Sequence, residues 1–444
     1  MWTNRNISIR RFLVALAVVT ATGSAATRTV GPPFTQCPNA QYSNITDAVN
    51  AANPGDVIEV CPALYAEQLL ITKPLTIRGL SASGFGRVLI QPSTLTNAGG
   101  LAFQAVITAM NTTGVTIENL VVDASQNTLS GCGLGLAGIH FYNSSGSIND
   151  NAITGAQVAN PQSCTATYPA SGFGIRVEAT QAGPYRVSIQ RNSIHDFTRD
   201  GILVSDAANT VDVGGNAISG TGPASGGFQF GIFIAVGAVA TVHDNQISMG
   251  PCGALSYDNC AKLRSEGVTL RVPGEGTIVE HNFISTVQSG IFANSGDKLR
   301  IANNVIQNID ALDGITIQGT TGGSFTNSII EGNVISHVSP VSQYCSEAFE
   351  CCGINEYSES GVSGNTIRGN TVIDAYCGVA AVAADKVVPG QNFSTLYPLI
   401  NSDDYEDAFP SPAEPGASPH ALPAKQVQAR RPPVRKLHGP DVDQ

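Results

Sequence analysis

The chain has 444 residues, including 47 glycines but only three methionines and one tryptophan, and 13% of its residues are charged. This composition argues against a large helical protein, because the Val, Ile, Thr, Asn and Gly that dominate the middle of the chain favour short strands and tight turns. The formal net charge of −11 argues against nucleic acid or an anionic lipid surface as a partner. It also disfavours a highly anionic polysaccharide.

The first 26 residues are typical of a secretory signal peptide. Arg5, Arg10 and Arg11 precede a short apolar run, Phe12 to Thr22, and small residues follow up to Ala26. A membrane anchor is the alternative, but the run is too short to span a bilayer. We therefore expect cleavage near Ala26, no transmembrane segment afterwards, and a secreted, periplasmic or cell-surface location. Loss of the three arginines changes the formal charge from −11 to −14.

An amphipathic helix is predicted next, because Ile45, Ala48, Val49 and Ala52 share one helical face. The segment Pro54-Gly55-Asp56 then turns the chain into the first strand. Such a helix would cover the open end of a stack of strands.

Internal repetition is the strongest pattern in the chain. One motif is Asn-x-Ile or a close variant, and its successive copies are 22 to 41 residues apart. It begins at Asn119, Asn151, Asn192, Asn216, Asn245, Asn282, Asn304, Asn333 and Asn370. A second motif, Gly-Ile or Gly-Val, alternates with it. It begins at Gly138, Gly174, Gly201, Gly231, Gly267, Gly290, Gly314, Gly353 and Gly378.

The shortest spacings, 22 and 24 residues, set the length of a basic coil, and longer spacings add a loop. The apolar runs are too short for an α-solenoid, and a propeller blade needs about 40 residues. A parallel β-helix fits best, with coils stacked about 4.8 Å apart. The Ile and Val of each motif then point inward, and the Asn residues occupy turns and hydrogen-bond along the stack. We interpret these Asn and Gly residues as structural.

Ten cysteines in an exported chain predict disulfide bonds. The expected pairs are Cys37–Cys61, Cys132–Cys164 and Cys252–Cys260, with the last four cysteines, from Cys345 on, pairing among themselves, although sequence alone does not fix the connectivity. Three insertions containing cysteine, 155–172, 249–265 and 340–352, interrupt the repeat. Loops of this kind often build the binding site of a solenoid.

The repeat stops near residue 400. The tail, 401–444, is rich in proline and charge, which is typical of a disordered spacer or of an end without a role. The predicted domains are thus a signal peptide at 1–26, a β-helix at 27–400 and the tail.

The helix region, with Tyr65-Ala-Glu67 and Ile71-Thr-Lys-Pro-Leu-Thr-Ile-Arg-Gly79 after it, resembles the opening of pectin-lyase-like β-helix proteins. The resemblance covers roughly residues 40 to 390 and implies an all-β fold, a single-stranded right-handed parallel β-helix with an N-terminal capping helix. The pectin-lyase-like superfamily includes polysaccharide lyases, glycoside hydrolases, tailspikes and adhesins. The catalytic motifs of pectin methylesterases and polygalacturonases are absent from the sequence. No set of catalytic residues can therefore be assigned from these families, and the fold alone does not specify an activity, since one fold hosts many functions.

Aligning the coils on the Gly-Ile motif predicts two polar clusters on one outward face. The first cluster consists of His140, Tyr142, Arg176, Glu178 and Asp200. An arginine beside carboxylates could stabilise an enolate during β-elimination, or the carboxylates could bind Ca²⁺. We take Arg176, Glu178 and Asp200 as catalytic candidates, and His140 and Tyr142 as substrate-binding candidates.

The second cluster consists of Glu266, Arg271, Asn294, Asp313 and Gln318. Glu266 and Asp313 are predicted two coils apart, roughly 9.6 Å along the axis, close to the carboxylate spacing of inverting glycosidases. They form the alternative catalytic pair, with the other three as substrate-binding candidates. For both clusters a solvated, ion-paired surface is the competing interpretation.

Two functional hypotheses follow. In the first, the protein binds a polysaccharide or cell-surface glycan and, if it is an enzyme, cleaves it by lyase or hydrolase chemistry. In the second, it is a non-catalytic, adhesin-like surface protein. The sequence leaves the oligomeric state open.

Overall fold

A computed structural model describes residues 25–396, apart from 33–36, 82–85, 130–134, 160–170, 223–227, 251–264, 311, 320–322, 339–350, 358–360, 382–385 and 389–391. The predicted tail and nearly all of the predicted signal peptide lie outside these residues. The expected pairs Cys132–Cys164 and Cys252–Cys260 do so as well. In the described part, no helix has the length and apolar character needed to cross a membrane.

Each coil contributes one strand to each of three long sheets, and every recorded strand pair in them is parallel. Sheet A contains β1 (Thr27–Val30), β2 (Val57–Val60), β5 (Thr76–Gly79), β8 (Val115–Glu118), β11 (Gly146–Asn149), β14 (Tyr185–Gln190), β17 (Asn209–Gly214), β20 (Val239–His243), β23 (Ile278–Glu280), β27 (Arg300–Ala302), β31 (Ile329–Glu331), β35 (Thr366–Arg368) and β38 (Lys386–Val387).

Sheet B contains β3 (Leu64–Tyr65), β6 (Leu89–Ile90), β9 (Val121–Asp123), β12 (Ala152–Thr154), β15 (Ser193–His195), β18 (Ala217–Ser219), β21 (Gln246–Ser248), β24 (Phe283–Val287), β28 (Val305–Ile309), β32 (Val334–Val338), β36 (Thr371–Ala375) and β39 (Phe393–Leu396).

Sheet C contains β4 (Leu69–Ile71), β7 (Phe103–Met110), β10 (Gly135–Tyr142), β13 (Ser171–Glu178), β16 (Asp200–Ser205), β19 (Gln229–Ala235), β22 (Ser265–Arg271), β25 (Ser289–Asn294), β29 (Ile315–Gln318), β33 (Cys352–Tyr357) and β37 (Cys377–Ala380). A short fourth sheet contains β26 (Gly296–Asp297), β30 (Phe325–Thr326) and β34 (Val362–Ser363). The prediction of a right-handed parallel β-helix is therefore confirmed.

The predicted capping helix is present as α1, Ile45–Ala51, and it buries Ile45, Ala48 and Val49 against the first coil. The side chain of Asn44 accepts a hydrogen bond from the Asp47 amide, as an N-cap does. Both carboxylate oxygens of Glu67 accept further hydrogen bonds from the amides of the first turn. A short 3₁₀ helix, Ala98–Gly100, is the other helical element of the described residues.

A ladder of asparagines, buried except for the partly exposed Asn392 at its end, runs along the corner between sheets A and B. The side-chain oxygen of each Asn accepts from the backbone and side-chain nitrogens of the Asn one coil before it, as Asn216 does from Asn192 at 2.9 and 3.0 Å. The ladder contains Asn151, Asn192, Asn216, Asn245, Asn282, Asn304, Asn333, Asn370 and Asn392. This confirms the structural role predicted for the repeated Asn.

Asn119 is an exception, and its assignment to the repeat is wrong by one residue. Leu120, not Asn119, occupies the ladder position, because the Leu120 amide donates to the Asn151 side chain at 3.0 Å. Asn119 instead adopts a left-handed conformation with φ of 57° and donates to the carbonyl oxygen of Gly79. The sequence Asn-Leu-Val imitates the motif, but the inward residue is Val122, which pairs with Ile153.

Candidate active site on sheet C

The strand register of sheet C arranges the residues around each Gly-Ile motif in three rows along the stack. The first row precedes the glycine and runs Phe173, Asp200, Phe230, Glu266 and Ser289 on successive coils. The second row includes His140, Arg176, Leu203, Phe233, Thr269, Phe292 and Thr316. The third includes Tyr142 and Glu178 on two adjacent coils, then Arg271, Asn294 and Gln318 on three others.

A glycine separates the first two rows and allows both to face outward. In β13, Phe173 and Arg176 lie on the outer face, whereas Ile175 and Val177 belong to the main core. The alternation of a regular strand is therefore interrupted at Gly174, where a methyl group would lie 2.4 Å from Ile194 and 2.6 Å from the Gly201 carbonyl oxygen. The bend brings the guanidinium of Arg176 to 4.9 Å from the ring centre of Phe173.

His140, Arg176 and Glu178 form the centre of the first predicted cluster. One carboxylate oxygen of Glu178 lies 2.8 Å from Nε2 of His140, and the other lies 2.5 Å from a guanidinium nitrogen of Arg176. The side chains of Arg176 and Glu178 remain 13% and 14% exposed, whereas that of His140 is fully buried. The ion pair is thus the part of this cluster that solvent reaches.

Arg176 is also held by aromatic rings. Its guanidinium carbon lies 3.7 Å from the ring centre of Phe103, in addition to its contact with Phe173. Cation–π contacts of this kind stabilise a partly desolvated guanidinium and fix its plane. Arg176 is therefore positioned by a carboxylate on one side and by two rings.

The charges in this group follow from burial and hydrogen bonding. Burial lowers the pKa of His140, against the opposing effect of Glu178, so the imidazole is neutral at pH 7. Burial would raise the pKa of Glu178, but hydrogen bonds from His140 and Arg176 and the positive charge of Arg176 together lower it to about 2. Glu178 is consequently ionised, and Arg176 is the cation that pairs with it.

Asp200 lies one coil further along, between Phe173 and Phe230 in the first row. Its side chain is fully buried, and neither carboxyl oxygen has a hydrogen-bond partner. Nε of Arg199 is 3.9 Å away, beyond hydrogen-bond range. Burial therefore outweighs the nearby positive charges of Arg199 and Arg176 and raises the pKa of Asp200 to about 7.

Tyr142 lies at the end of β10, beside this group but not in its ion pair. Its ring centre is 6.0 Å from that of His140, and its hydroxyl lies 2.7 Å from Oγ1 of Thr180. Tyr142 thus pairs in register with Glu178 on the next coil.

The second predicted cluster separates into two parts. Glu266 is buried and accepts a hydrogen bond from the Thr269 hydroxyl at 2.5 Å, three residues along its strand. Arg271, Asn294 and Gln318 follow one another along the third row, with Arg271 exposed.

Asp313 repeats the Glu266–Thr269 arrangement on a later coil. Its carboxylate accepts from the Thr316 hydroxyl at 3.1 Å, the Cys352 amide at 2.8 Å and the Asn355 side chain at 3.0 Å. These three donors connect two coils and favour a structural role for Asp313.

Sequence reasoning missed Phe103. Its coil has Val106 at the position that the glycine occupies elsewhere, since Ala105 and Ile107 pair with Ala137 and Ile139. The Gly-Ile motif is therefore absent from this strand. The apolar segment Ala105-Val-Ile107 was the signal that could have placed β7 in register.

No group of three or more His, Cys, Asp or Glu side chains is positioned to hold a metal ion in the described part of the chain. Glu178 is bound to His140 and Arg176, and Asp200 lies between two phenylalanines, so these residues do not form a set of oxygen ligands for Ca²⁺.

Comparison with known proteins identifies the architecture. The family model for the right-handed β-helix region matches residues 78–276, whereas proteins of curated function give no sequence match. The structure resembles a GH136 lacto-N-biosidase from Eubacterium ramulus, with a TM-score of 0.54, 12% identity, and coverage of 84% of this chain and 68% of that one.

Two other solved structures are similar at lower TM-scores. The Dettilon tailspike protein gives 0.44 with 14% identity, covering 77% of this chain, which spans 62% of the tailspike. Pectate lyase Pel9A gives 0.40 with 13% identity, covering 88% of this chain and 82% of that one.

Proposed function

Since the chain is a right-handed parallel β-helix of the pectin-lyase-like type, we propose that it binds a glycan along the outward face of sheet C and hydrolyses a glycosidic bond there. Asp200 is the proton donor of this proposal. Arg176, Glu178 and Tyr142 bind sugar hydroxyl groups beside it. Because Asp200 is fully buried, cleavage requires this face to open when the sugar enters.

The observation that carries the proposal is the state of Asp200. A carboxyl group with a pKa of about 7 is still partly protonated at neutral pH, as a general acid must be. Glu178, on the preceding coil, has a pKa of about 2 and is ionised. Because the environments of these two carboxyl groups separate their pKa values, Asp200 can donate a proton at neutral pH while Glu178 stays an anion that accepts hydrogen bonds from sugar hydroxyl groups.

Glu266 is the proposed base. Phe230 lies between it and Asp200 in the first row, so the two carboxyl groups are two coils apart, roughly 9.6 Å along the axis. That separation is at the upper end of the range for inverting glycosidases, in which a water molecule attacks between the carboxyl groups. Asp200 gives its proton to the leaving oxygen, and Glu266 takes a proton from the water that attacks the anomeric carbon.

A neutral glycan fits the charge of this face better than a polyuronate. Glu178, Asp200, Glu266 and Asp313 all lie on it, and the whole chain carries a formal charge of −11. A solved structure that this chain resembles with a TM-score above 0.5 is named as a lacto-N-biosidase, which also supports a glycan ligand.

Export is part of the same proposal. Disulfide bonds join Cys37 to Cys61 and Cys352 to Cys377, as expected for the first pair and for pairing among the last cysteines. Such bonds persist in oxidising compartments. Together with the basic and apolar leader, they support an extracellular or cell-surface location, where glycans are accessible.

The test is a hydrolysis screen of the mature protein on neutral and acidic glycans. It would record new reducing ends and the ultraviolet absorbance of unsaturated products. We expect reducing ends from a neutral glycan, without that absorbance, and their loss in Asp200→Asn. The matched control is Asp212→Asn, since Asp212 is 55% exposed on sheet A. Unsaturated product would overturn hydrolysis in favour of β-elimination.

One observation favours the second hypothesis, a non-catalytic glycan-binding or adhesin-like protein. Glu178 is engaged with His140 and Arg176, and Asp313 with its three donors, so both carboxylates have structural partners. Glycan binding without any product, unaffected by Asp200→Asn, would establish this alternative.

A further inference from the structure

We infer that processing of the exported chain cuts the peptide bond between Ala25 and Ala26, and that the new α-ammonium group of Ala26 forms an ion pair with Asp56. The inference rests on the export proposed above. It assigns a processing site and gives Asp56 a role as the acceptor of the mature N-terminus.

The backbone nitrogen of Ala26 is already directed at a carboxylate. It donates to Oδ1 of Asp56 at 2.9 Å, and the Ala26 carbonyl oxygen accepts from the Val57 amide at 2.9 Å. The strand β1 begins at the next residue, Thr27, which pairs with Val57. Ala26 is thus held by the fold through both of its backbone polar groups.

The carboxylate of Asp56 already accepts a hydrogen bond from one cationic side chain. Its side chain is only 4% exposed, and its second oxygen, Oδ2, accepts from Nε of Arg28 at 2.8 Å and from the Asn53 amide at 2.9 Å. In the uncut chain, Oδ1 faces a neutral amide. Hydrolysis by a signal peptidase adds water across the bond, leaving a carboxylate on Ala25 and an ammonium group on Ala26, so the same contact becomes a charge-assisted hydrogen bond.

Cleavage at a neighbouring peptide bond would be less compatible with these contacts. A cut after Ala26 would remove both the nitrogen bound to Asp56 and the oxygen bound to Val57. A cut further upstream would leave the backbone nitrogen of Ala26 in a neutral peptide bond. Ala25 and Ala26 are both exposed, so their bond is open to a peptidase, and both are small residues of the kind that such enzymes require.

The first measurement is N-terminal sequencing and intact mass of the full chain after export from a bacterial host. We expect a single N-terminus at Ala26. A mature protein that begins at Thr27, or at any other residue, would overturn the inference while leaving export intact. A retained leader would instead remove the export on which the inference depends, and the inference with it.

A second measurement tests the ion pair independently of the cut. Disulfide-bonded protein starting at Ala26 would be compared with the same protein carrying one extra glycine before Ala26, in wild-type, Asp56→Asn and Asp244→Asn backgrounds. The α-amino group has an ordinary pKa of about 7.7–8.0, and Asp56 raises it in the folded state. Its stabilisation is therefore complete below that range and is lost as the pH rises through the folded value.

We expect the Ala26 form to melt about 1–3 °C above the extended form at pH 6.5, with the difference shrinking by pH 9.5. The guanidinium of Arg28 keeps its charge over this interval, because its hydrogen bond to Asp56 raises its pKa. Asp56→Asn should abolish the difference. Asp244→Asn should preserve it, because the side chain of Asp244, which follows β20 directly, is 66% exposed. Equal melting temperatures at pH 6.5 in the wild-type background would contradict the ion pair.

Discussion

Gly201 and Ile218 come from the two motifs that alternate along the chain, and they touch. A methyl group on Gly201 would lie 2.6 Å from Cγ2 of Ile218 and 2.7 Å from the carbonyl oxygen of Gly231 on the next coil. The same contact recurs in the pairs Gly138–Ile153, Gly174–Ile194, Gly231–Ile247, Gly267–Ile284, Gly290–Ile306 and Gly314–Ile335. The glycine of one motif and the isoleucine of the other therefore pack against each other in each of these coils.

This contact predicts that Gly201→Ala destabilises the protein. The added methyl group meets the Gly231 backbone, which cannot rotate away, and over-packing of this kind costs about 1–3 kcal/mol. Thermal or denaturant unfolding would measure the loss. Gly86→Ala is the matched control, because a methyl group there has no atom within 4 Å. Equal stability of the two variants would show that the coils can separate to admit the methyl group.

The asparagine ladder predicts a large effect of an isosteric change. Asn216 donates from Nδ2 to Oδ1 of Asn245 and to the carbonyl oxygen of Ile189, both at 2.9 Å. Asn216→Asp replaces that donor with an oxygen and brings it against two acceptors in a buried site. We expect a loss of roughly 3 kcal/mol or more at pH 7.

The control for the ladder is Asn308→Asp. Asn308 is exposed and has a φ of 56°, a conformation that Asp also tolerates, so unfolding should change by less than about 0.5 kcal/mol. A ladder variant as stable as this control would mean that the ladder bonds contribute little net stability.

Much of the fold was predictable from the sequence because its parts are local and periodic. Each coil repeats the same glycine, the same inward Ile and the same Asn, so spacing alone gave the register of Arg176 beside Leu203 and of Asp200 beside Phe173. Asn119 was misplaced because a one-residue shift of Asn-Leu-Val leaves the pattern intact while changing which side chain points inward.

The chemistry of the site was less predictable, because it depends on burial and on distances across coils. Sequence placed Asp200 near Arg176, but not its lack of hydrogen bonds, which is what raises its pKa. The contact of Arg176 with Phe103 joins residues 73 positions apart, through a coil that lacks the glycine motif. Asp313 looked equivalent to Glu266 in sequence, yet it is bound to the Cys352 amide on the next coil.

Arg176→Met should weaken both glycan binding and the fold. The change removes the cation beside Glu178 and the contacts with Phe103 and Phe173, and we expect a loss of about 1–3 kcal/mol at pH 7. In the wild type, the lowered pKa of Glu178 gives stability that is present above pH 4.5 and is lost as the pH falls towards 2. That acid dependence should shrink in the variant.

Chemical denaturation at several pH values, with glycan binding by calorimetry, would measure these effects. Arg186→Met is the matched control, because Arg186 lies exposed on sheet A, away from the proposed binding face. If the two variants lost the same affinity and stability, Arg176 would be an ordinary surface residue of this face.

Asp200→Asn should change how stability depends on pH. The folded state raises the pKa of Asp200 from 3.8 to about 7, so the native protein holds this proton more tightly than the unfolded chain. Wild-type stability should therefore fall as the pH rises from about 4 to 7, by an amount on the order of 4 kcal/mol at most. The variant cannot ionise at this position. Its free energy of unfolding should therefore rise relative to that of the wild type between about pH 4 and 7, and the difference should stay constant above pH 7. Asp47→Asn, altered at an exposed carboxylate in the first turn of α1, should follow the wild type. If urea unfolding between pH 4 and 8 gave parallel curves for Asp200→Asn and the wild type, Asp200 would ionise normally and could not serve as the proton donor at neutral pH.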